Sequence, residues 1–135
     1  MRTAFMHRLC ELARLDERIC LVVGDLGYSV VDTFIKEFPS RFLNAGVAEQ
    51  SMIGIATGWS LAEESIVFTY SLANFSSMRC LEQIRNDCCA HNANLKIISL
   101  GSGITYSQSG YSHFAIEDLA VIGAMPNMTI FTPAD

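Results

Sequence analysis

A chain of 135 residues is long enough for one domain with an ordinary core; half of it is hydrophobic and only 17% is charged. A small domain exposes most of its surface, so this low charge fraction predicts cover from a partner chain or from further parts of the same polypeptide. A net charge of −5 without a basic patch argues against nucleic acid, and no apolar run reaches the roughly 18 residues of a membrane span.

Residues 2–14 carry Ala4, Phe5, Leu9, Leu12 and Ala13 at helical spacing, which predicts an amphipathic helix. The opening MRTAFMHRL is too short and too interrupted by charge for a signal peptide. ICLVVGD (19–25) is a continuous apolar run ending in Gly-Asp, as a buried parallel strand ends. SVVDTFIKEF (29–38) reads as a helix that Pro39 stops. RFLNAG (41–46) is a short strand and turn. VAEQSMIGIATGWSLA (47–62) is a long helix, apolar nearly all round and so expected to be buried. SIVFTYS (65–71) is a strand of β-branched and aromatic residues. ANFSSMRCLEQIRNDCCAHN (73–92) reads as a helix, LKIISLG (95–101) as another buried strand, and SGITYSQSGYSH (102–113) as a loop. AIEDLAVIGAM (115–125) is a short helix, and MTIFTPAD (128–135) predicts a last strand. The five cysteines, Cys10, Cys20, Cys80, Cys88 and Cys89, are odd in number and lack metal-ligand spacing, which predicts a reduced, cytoplasmic protein. Adjacent Cys88 and Cys89 read as helix packing.

Strands alternating with helices predict an α/β fold, a mostly parallel sheet with helices on both faces. Ligands in such sheets bind beyond the carboxyl ends of the strands. Those ends are Gly24-Asp25, Asn44–Gly46, Thr69–Ser71 and Gly101 onward. One of the intervening helices raises a question. Residues 43–62 hold a single charge, Glu49, at the head of a segment otherwise built for burial. The helix dipole favours a first-turn Glu. A buried carboxylate, however, must find a partner, because an isolated buried charge is very costly. Such a group suits proton sharing with a bound base.

GDLGYSV…FPSRFLNAGVAEQSMIGIATGWSLA resembles the pyrimidine-binding domain of transketolase and of 1-deoxyxylulose-5-phosphate synthase. The likeness runs from MRTAFMHRL to PNMTIFTPAD, and G-V-A-E-Q is its most specific part. It implies thiamine diphosphate as cofactor. It implies that Glu49 hydrogen-bonds N1′ of the aminopyrimidine across a subunit interface, which readies the exocyclic nitrogen to take the C2 proton of the thiazolium. Phe75, 26 residues on, matches the aromatic that stacks on the aminopyrimidine. Leu72 falls where transketolases often carry a second pocket aromatic, and Asp25 matches an Asp beside the thiazolium. Arg2 and Ser29 align with residues that hold the phosphate of a sugar phosphate, for which a guanidinium fork is suited. His113 matches the last position of a G-x-D-G-x-T-H loop, where a His touches substrate oxygens. The loop departs from that pattern: Ser109 replaces the Asp, and Gly101 stands where transketolases usually carry a His.

The resemblance further implies a Gly-Asp-Gly followed by a distant Asn, which hold Mg²⁺ and the diphosphate, and this motif is missing from the sequence. The whole chain, residues 1–135, is therefore expected to be a pyrimidine-binding domain alone. Mg²⁺ and the diphosphate are expected on a separate subunit or domain, and a third, C-terminal domain lies outside this chain. The chain is expected to be either a fragment of a longer protein or the small subunit of a split enzyme, and Met1 directly before the first helix favours a split transketolase. The expected assembly is a homodimer or heterotetramer. The expected reaction moves a two-carbon ketol unit between a ketose phosphate and an aldehyde. The alternatives are part of a deoxyxylulose-phosphate synthase, a 2-oxoacid dehydrogenase β-subunit, or a non-catalytic partner domain.

Overall fold

Five successive apolar residues, Ile19–Val23, form strand β1, and all five are buried. Neither face of such a strand can meet water, so it must lie inside a sheet covered on both sides. In the computed structural model, which describes residues 1–134, β1 is indeed an inner strand. It is flanked by β2 (Phe42–Asn44) and β3 (Ile66–Leu72), and β4 (Leu95–Leu100) follows beyond β3. The order is β2-β1-β3-β4 and every pairing is parallel. Val23 lies opposite both Asn44 and Tyr70, so β1 and β2 end level while β3 runs on two residues to Leu72.

The pleat of β1 divides the core in two. Ile19, Leu21 and Val23 face helix α1 (Arg2–Leu15) and helix α2 (Asp32–Glu37), packing with Met6, Leu9, Cys10, Ala13 and Phe34. Cys20 and Val22 face the other way, against Met52, Ile53 and Ala56 of helix α3 (Glu49–Ala62) and against Cys80, Ile84 and Cys89. Burying each of the larger side chains contributes about 1.5–3 kcal/mol. The chain winds outward from β1 in both directions, to β2 on one side and to β3 and β4 on the other. The switch between the two directions lies at the carboxyl ends of β1 and β3, where open α/β sheets place their ligands.

Five expectations need correction. β4 is not the buried strand expected of residues 95–101; none of its residues is fully buried, because it lies at the edge of the sheet. Helix α2 begins at Asp32 rather than residue 29, because Ser29 sits at φ 61°, outside helical space. Helix α3 is buried on one face only; Ile55 and Leu61 are 44% and 48% exposed, because the sheet covers a single side of it. The stretch 73–92 is not one helix. It runs as α4 (Ala73–Ser76), a 3₁₀ turn Met78–Cys80, α5 (Leu81–Gln83) and a π turn Ile84–Cys89. The break falls at Ser77, with φ −109° and ψ −79°. The last strand does not form among residues 128–134. Residues 129–134 and β4 line a common groove without pairing as strands, and residue 135 lies outside the described residues. The short helix near the end is α6 (Asp118–Gly123). All five cysteines are free and buried. No helix among the described residues is long and apolar enough to cross a membrane.

Candidate functional site

The site begins with a glycine. Gly24 closes β1, and a Cβ built there would lie 3.3 Å from Glu49 Cγ and 3.4 Å from Ser71 Oγ. The Glu49 side chain therefore lies across the carboxyl end of β1, beside that of β3. The turn that delivers it is held by Asn44. Its Oδ1 accepts from the backbone N–H groups of Asp25 (3.0 Å) and Gly46 (2.9 Å), and its Nδ2 donates to Asp25 Oδ1 at 2.9 Å. Asp25 takes φ 53°, a left-handed conformation that this local network holds in place. Helix α3 then starts at Glu49 itself, which is only 3% exposed.

Arg79 answers the buried charge. Its Nη1 donates to Glu49 Oε2 at 2.7 Å, and its guanidinium carbon lies 3.9 Å from the centroid of the Phe75 ring. No group among the described residues bonds Oε1. The Phe75 ring meets His113 edge to face at 5.0 Å between centroids. Asn74 Nδ2 donates to the backbone oxygen of Ser112 at 2.6 Å, which ties the loop carrying His113 to α4. Ser112 Oγ lies 3.0 Å from His113 Nδ1. Glu49, Arg79, Phe75 and His113 thus form one chain of contacts at the strand ends. Burial pushes the Cys80 thiol up to about 12, and the negative charge of Glu49 adds to this while Arg79 opposes it.

The other predicted residues lie around this chain. Leu72, half-buried, ends β3, and its carbonyl accepts from Ser76 Oγ at 2.9 Å. Asp25 lines a separate hollow of about 210 Å³ with Tyr28, Asp32 and Asn44. Arg2 lines the wide groove beside β4, together with Phe5, Tyr70 and Tyr106. Burial raises the pKa of the Tyr70 phenol, and the nearby Arg2 charge opposes that rise. The turn carrying Ser29 approaches the same ring, since a Cβ at Gly27 would lie 3.2 Å from Tyr70 Cε1. Arg2 and the Gly27 turn thus approach one buried tyrosine from two elements, with Ser29 itself exposed two residues beyond Gly27. Gly101 has φ 77°, and a Cβ there would fall 2.1 Å from Tyr106 Cε2. The Tyr106 ring thus occupies the space that a side chain at 101 would need. Ser109 is exposed within the turn Ser107–Ser109.

The family model described as "Transketolase, pyrimidine binding domain" matches residues 1–135. The chain belongs to this family. A protein of Methanocaldococcus jannaschii named as a transketolase C-terminal section is 42% identical over 136 residues, covering 100% of this chain and 43% of that protein. An apulose-4-phosphate transketolase subunit of Phocaeicola vulgatus is 36% identical, covering 99% of this chain and 43% of that protein. Among solved structures, a split-gene transketolase described as an inactive β4 tetramer superposes with a TM-score of 0.86 at 40% identity, over 99% of this chain and 43% of that one. The chain thus spans less than half the length of these relatives.

A pyrimidine-binding domain needs an acidic partner for a ring nitrogen and a flat apolar surface for the ring. Glu49 with its open Oε1, and Phe75 beside it, have the chemistry for both. Arg79, Asn44 and Tyr106 had not been singled out in the sequence. Arg79 does leave a trace there, as the first charge after the uncharged stretch 65–78. In this fold that charge meets the buried Glu49.

Proposed function

We propose that the chain is the pyrimidine-binding part of a thiamine-diphosphate-dependent, transketolase-like transferase. It moves a two-carbon ketol unit between a ketose phosphate and an aldehyde, and it acts with a diphosphate-binding subunit or domain. The observation that carries this reading is the buried Glu49, with Oε2 bonded, Oε1 open and Phe75 alongside, at the switch point of a parallel sheet. The names of the relatives support transketolase over the synthase and dehydrogenase readings. When bound, thiamine diphosphate supplies the nucleophilic carbon. This chain's contribution is geometry and a proton: Glu49 exchanges a proton with N1′ of the aminopyrimidine, Phe75 stacks on the ring, and Leu72 walls it. Asp25 stands toward the thiazolium, Mg²⁺ and the diphosphate belong to the partner, and His113, Arg2 and Ser29 face the substrate. The assembly is a homodimer or heterotetramer, in line with the tetramer described for the solved relative. Five buried free thiols fit a cytoplasmic setting.

The decisive experiment is hydrogen–deuterium exchange at the cofactor's C2, on the full-length protein with its partner. Glu49→Gln keeps shape and a hydrogen bond but removes the transferable proton. Exchange is expected to slow by about 10²–10⁴-fold while the cofactor still binds. Equal rates in wild type and variant refute the reading. Arg2→Ala is expected to raise KM for a phosphorylated substrate about tenfold with cofactor affinity unchanged, because it removes binding remote from the reacting carbon. An equal loss with unphosphorylated substrate rules out the phosphate role.

A further inference from the structure

We propose that Arg79 is a positioning residue that holds Glu49 and Phe75 in the geometry needed for the pyrimidine ring. The inference rests on the pyrimidine-binding reading and adds to it a residue that the reading does not contain. Two contacts carry it. The guanidinium bonds Glu49 Oε2 at 2.7 Å and lies over the Phe75 ring at 3.9 Å. A planar guanidinium can do both at once, donating in its plane and stacking with its face.

The consequence for Glu49 is directional. A carboxylate with two free oxygens can turn about its last torsion and present either one. With Oε2 tied to Arg79, Oε1 is left for a ring nitrogen. The consequence for Phe75 is the same in kind. With one face under the guanidinium and a His113 contact at its side, the ring is fixed in tilt. Arg79 is also the cation that compensates the buried charge. Glu49 is 3% exposed, whereas the Arg79 side chain is 43% exposed. The arginine thus bridges solvent and the buried carboxylate, and it can hold Glu49 without being entombed itself.

Cofactor affinity gives the test, because it reads the site without relying on turnover. The full-length protein with its diphosphate-binding partner is prepared as wild type, Arg79→Met, Arg79→Lys, Glu49→Gln and the double variant Glu49→Gln/Arg79→Met. Calorimetry with thiamine diphosphate and Mg²⁺ gives Kd, and C2 exchange is followed on each saturated complex. Arg79→Met is expected to raise Kd about tenfold, the scale of coupling between contacting groups. Arg79→Lys keeps the charge but not the plane, and is expected to recover part of that loss. The double variant is expected to bind within about twofold of Glu49→Gln alone, because a residue acting through Glu49 has little left to act on. Three results overturn the inference while leaving Glu49 in place: tighter binding in Arg79→Met, which makes the arginine an occupant of the ring's place; an unchanged Kd; or additive losses in the double variant. Should Arg79→Met fail to assemble, Arg79→Lys and the Lys double variant supply the same comparison. Unchanged C2 exchange in Glu49→Gln overturns the pyrimidine-binding reading and this inference with it.

Discussion

Gly24 lacks a side chain at the point where Glu49 needs the room. A methyl there would press on Glu49 Cγ at 3.3 Å and on Met52 Sδ and Ser71 Oγ at 3.4 Å. One of the three must shift by a few tenths of an ångström, and Glu49 stands at the open end of the strand. Gly24→Ala is therefore expected to slow C2 exchange about tenfold, since small displacements of a reacting group carry disproportionate rate costs. Thermal unfolding should show a much smaller change; a large drop in midpoint with exchange intact would place the strain in the core instead. The buried thiols set a second, independent expectation. Cys80 and Cys88 are pushed up to about 12 and about 11, chiefly by burial. Their pKa values are raised on folding, so this contribution to stability is complete below the ordinary thiol value of about 8.5. It is lost as pH rises from there through the folded values, because the unfolded chain releases these protons first. Denaturant midpoints should thus fall between about pH 9 and pH 11, and Cys80→Ala should flatten that fall.

Elements differ in how openly the sequence announces them. β1 was legible as a continuous apolar run, and α3 as a long apolar helix, because each is specified by its own residues. The absent last strand shows the opposite case. Residues 128–134 have strand composition, but a strand exists only with a partner, and residues 129–134 line a groove with β4 without pairing to it. The broken helix at 73–92 was likewise hidden, since nothing local marks Ser77 as a break. Glu49 could be singled out from its apolar surroundings; its grouping with Phe75 and His113 came only through family resemblance, and Arg79 from neither. The 101–113 loop offers a test at this scale. Tyr106 lies over Gly101, whose φ of 77° already disfavours any side chain. Gly101→Ala is expected to cost about 1–3 kcal/mol in denaturant titration. Adding Tyr106→Ala should recover part of this, because the clash with the ring is then gone while the backbone strain remains.

The whole molecule carries more surface than its mass warrants. Its accessible surface is 7706 Å², against roughly 7,000 Å² for a compact monomer of 14.9 kDa. Part of that excess is apolar: Val47, Ile55 and Leu61 on or beside α3 are 76%, 44% and 48% exposed, and Phe131 is 85% exposed. Apolar faces of this kind mark contact with another chain or domain. The chain is expected to self-associate or to bind its diphosphate-binding partner through the α3 side, and Ile55→Glu to weaken that association at least tenfold. Sedimentation with and without the partner reads the effect. A surface substitution away from packed groups leaves thermal stability within about 0.5 kcal/mol. A monodisperse wild-type monomer at high concentration, alone and mixed with the partner, would refute the expectation.

The π turn Ile84–Cys89 has a consequence for chain length. Ala90 N–H bonds the carbonyl of Arg85, five residues back, where an α-helix would reach back four. The turn thus holds one residue more than an α-helix would between the same two ends. Ile84, Cys88 and Cys89 keep their places in the core, while Arg85 and Asn86 face solvent. Removing Asn86 should let the segment rewind as α-helix with its flanks in register, so a one-residue deletion here should be better tolerated than anywhere in α3. Insertions and deletions among the relatives should therefore gather at these six residues, where the chain can change its length without moving Arg79 or the strand ends.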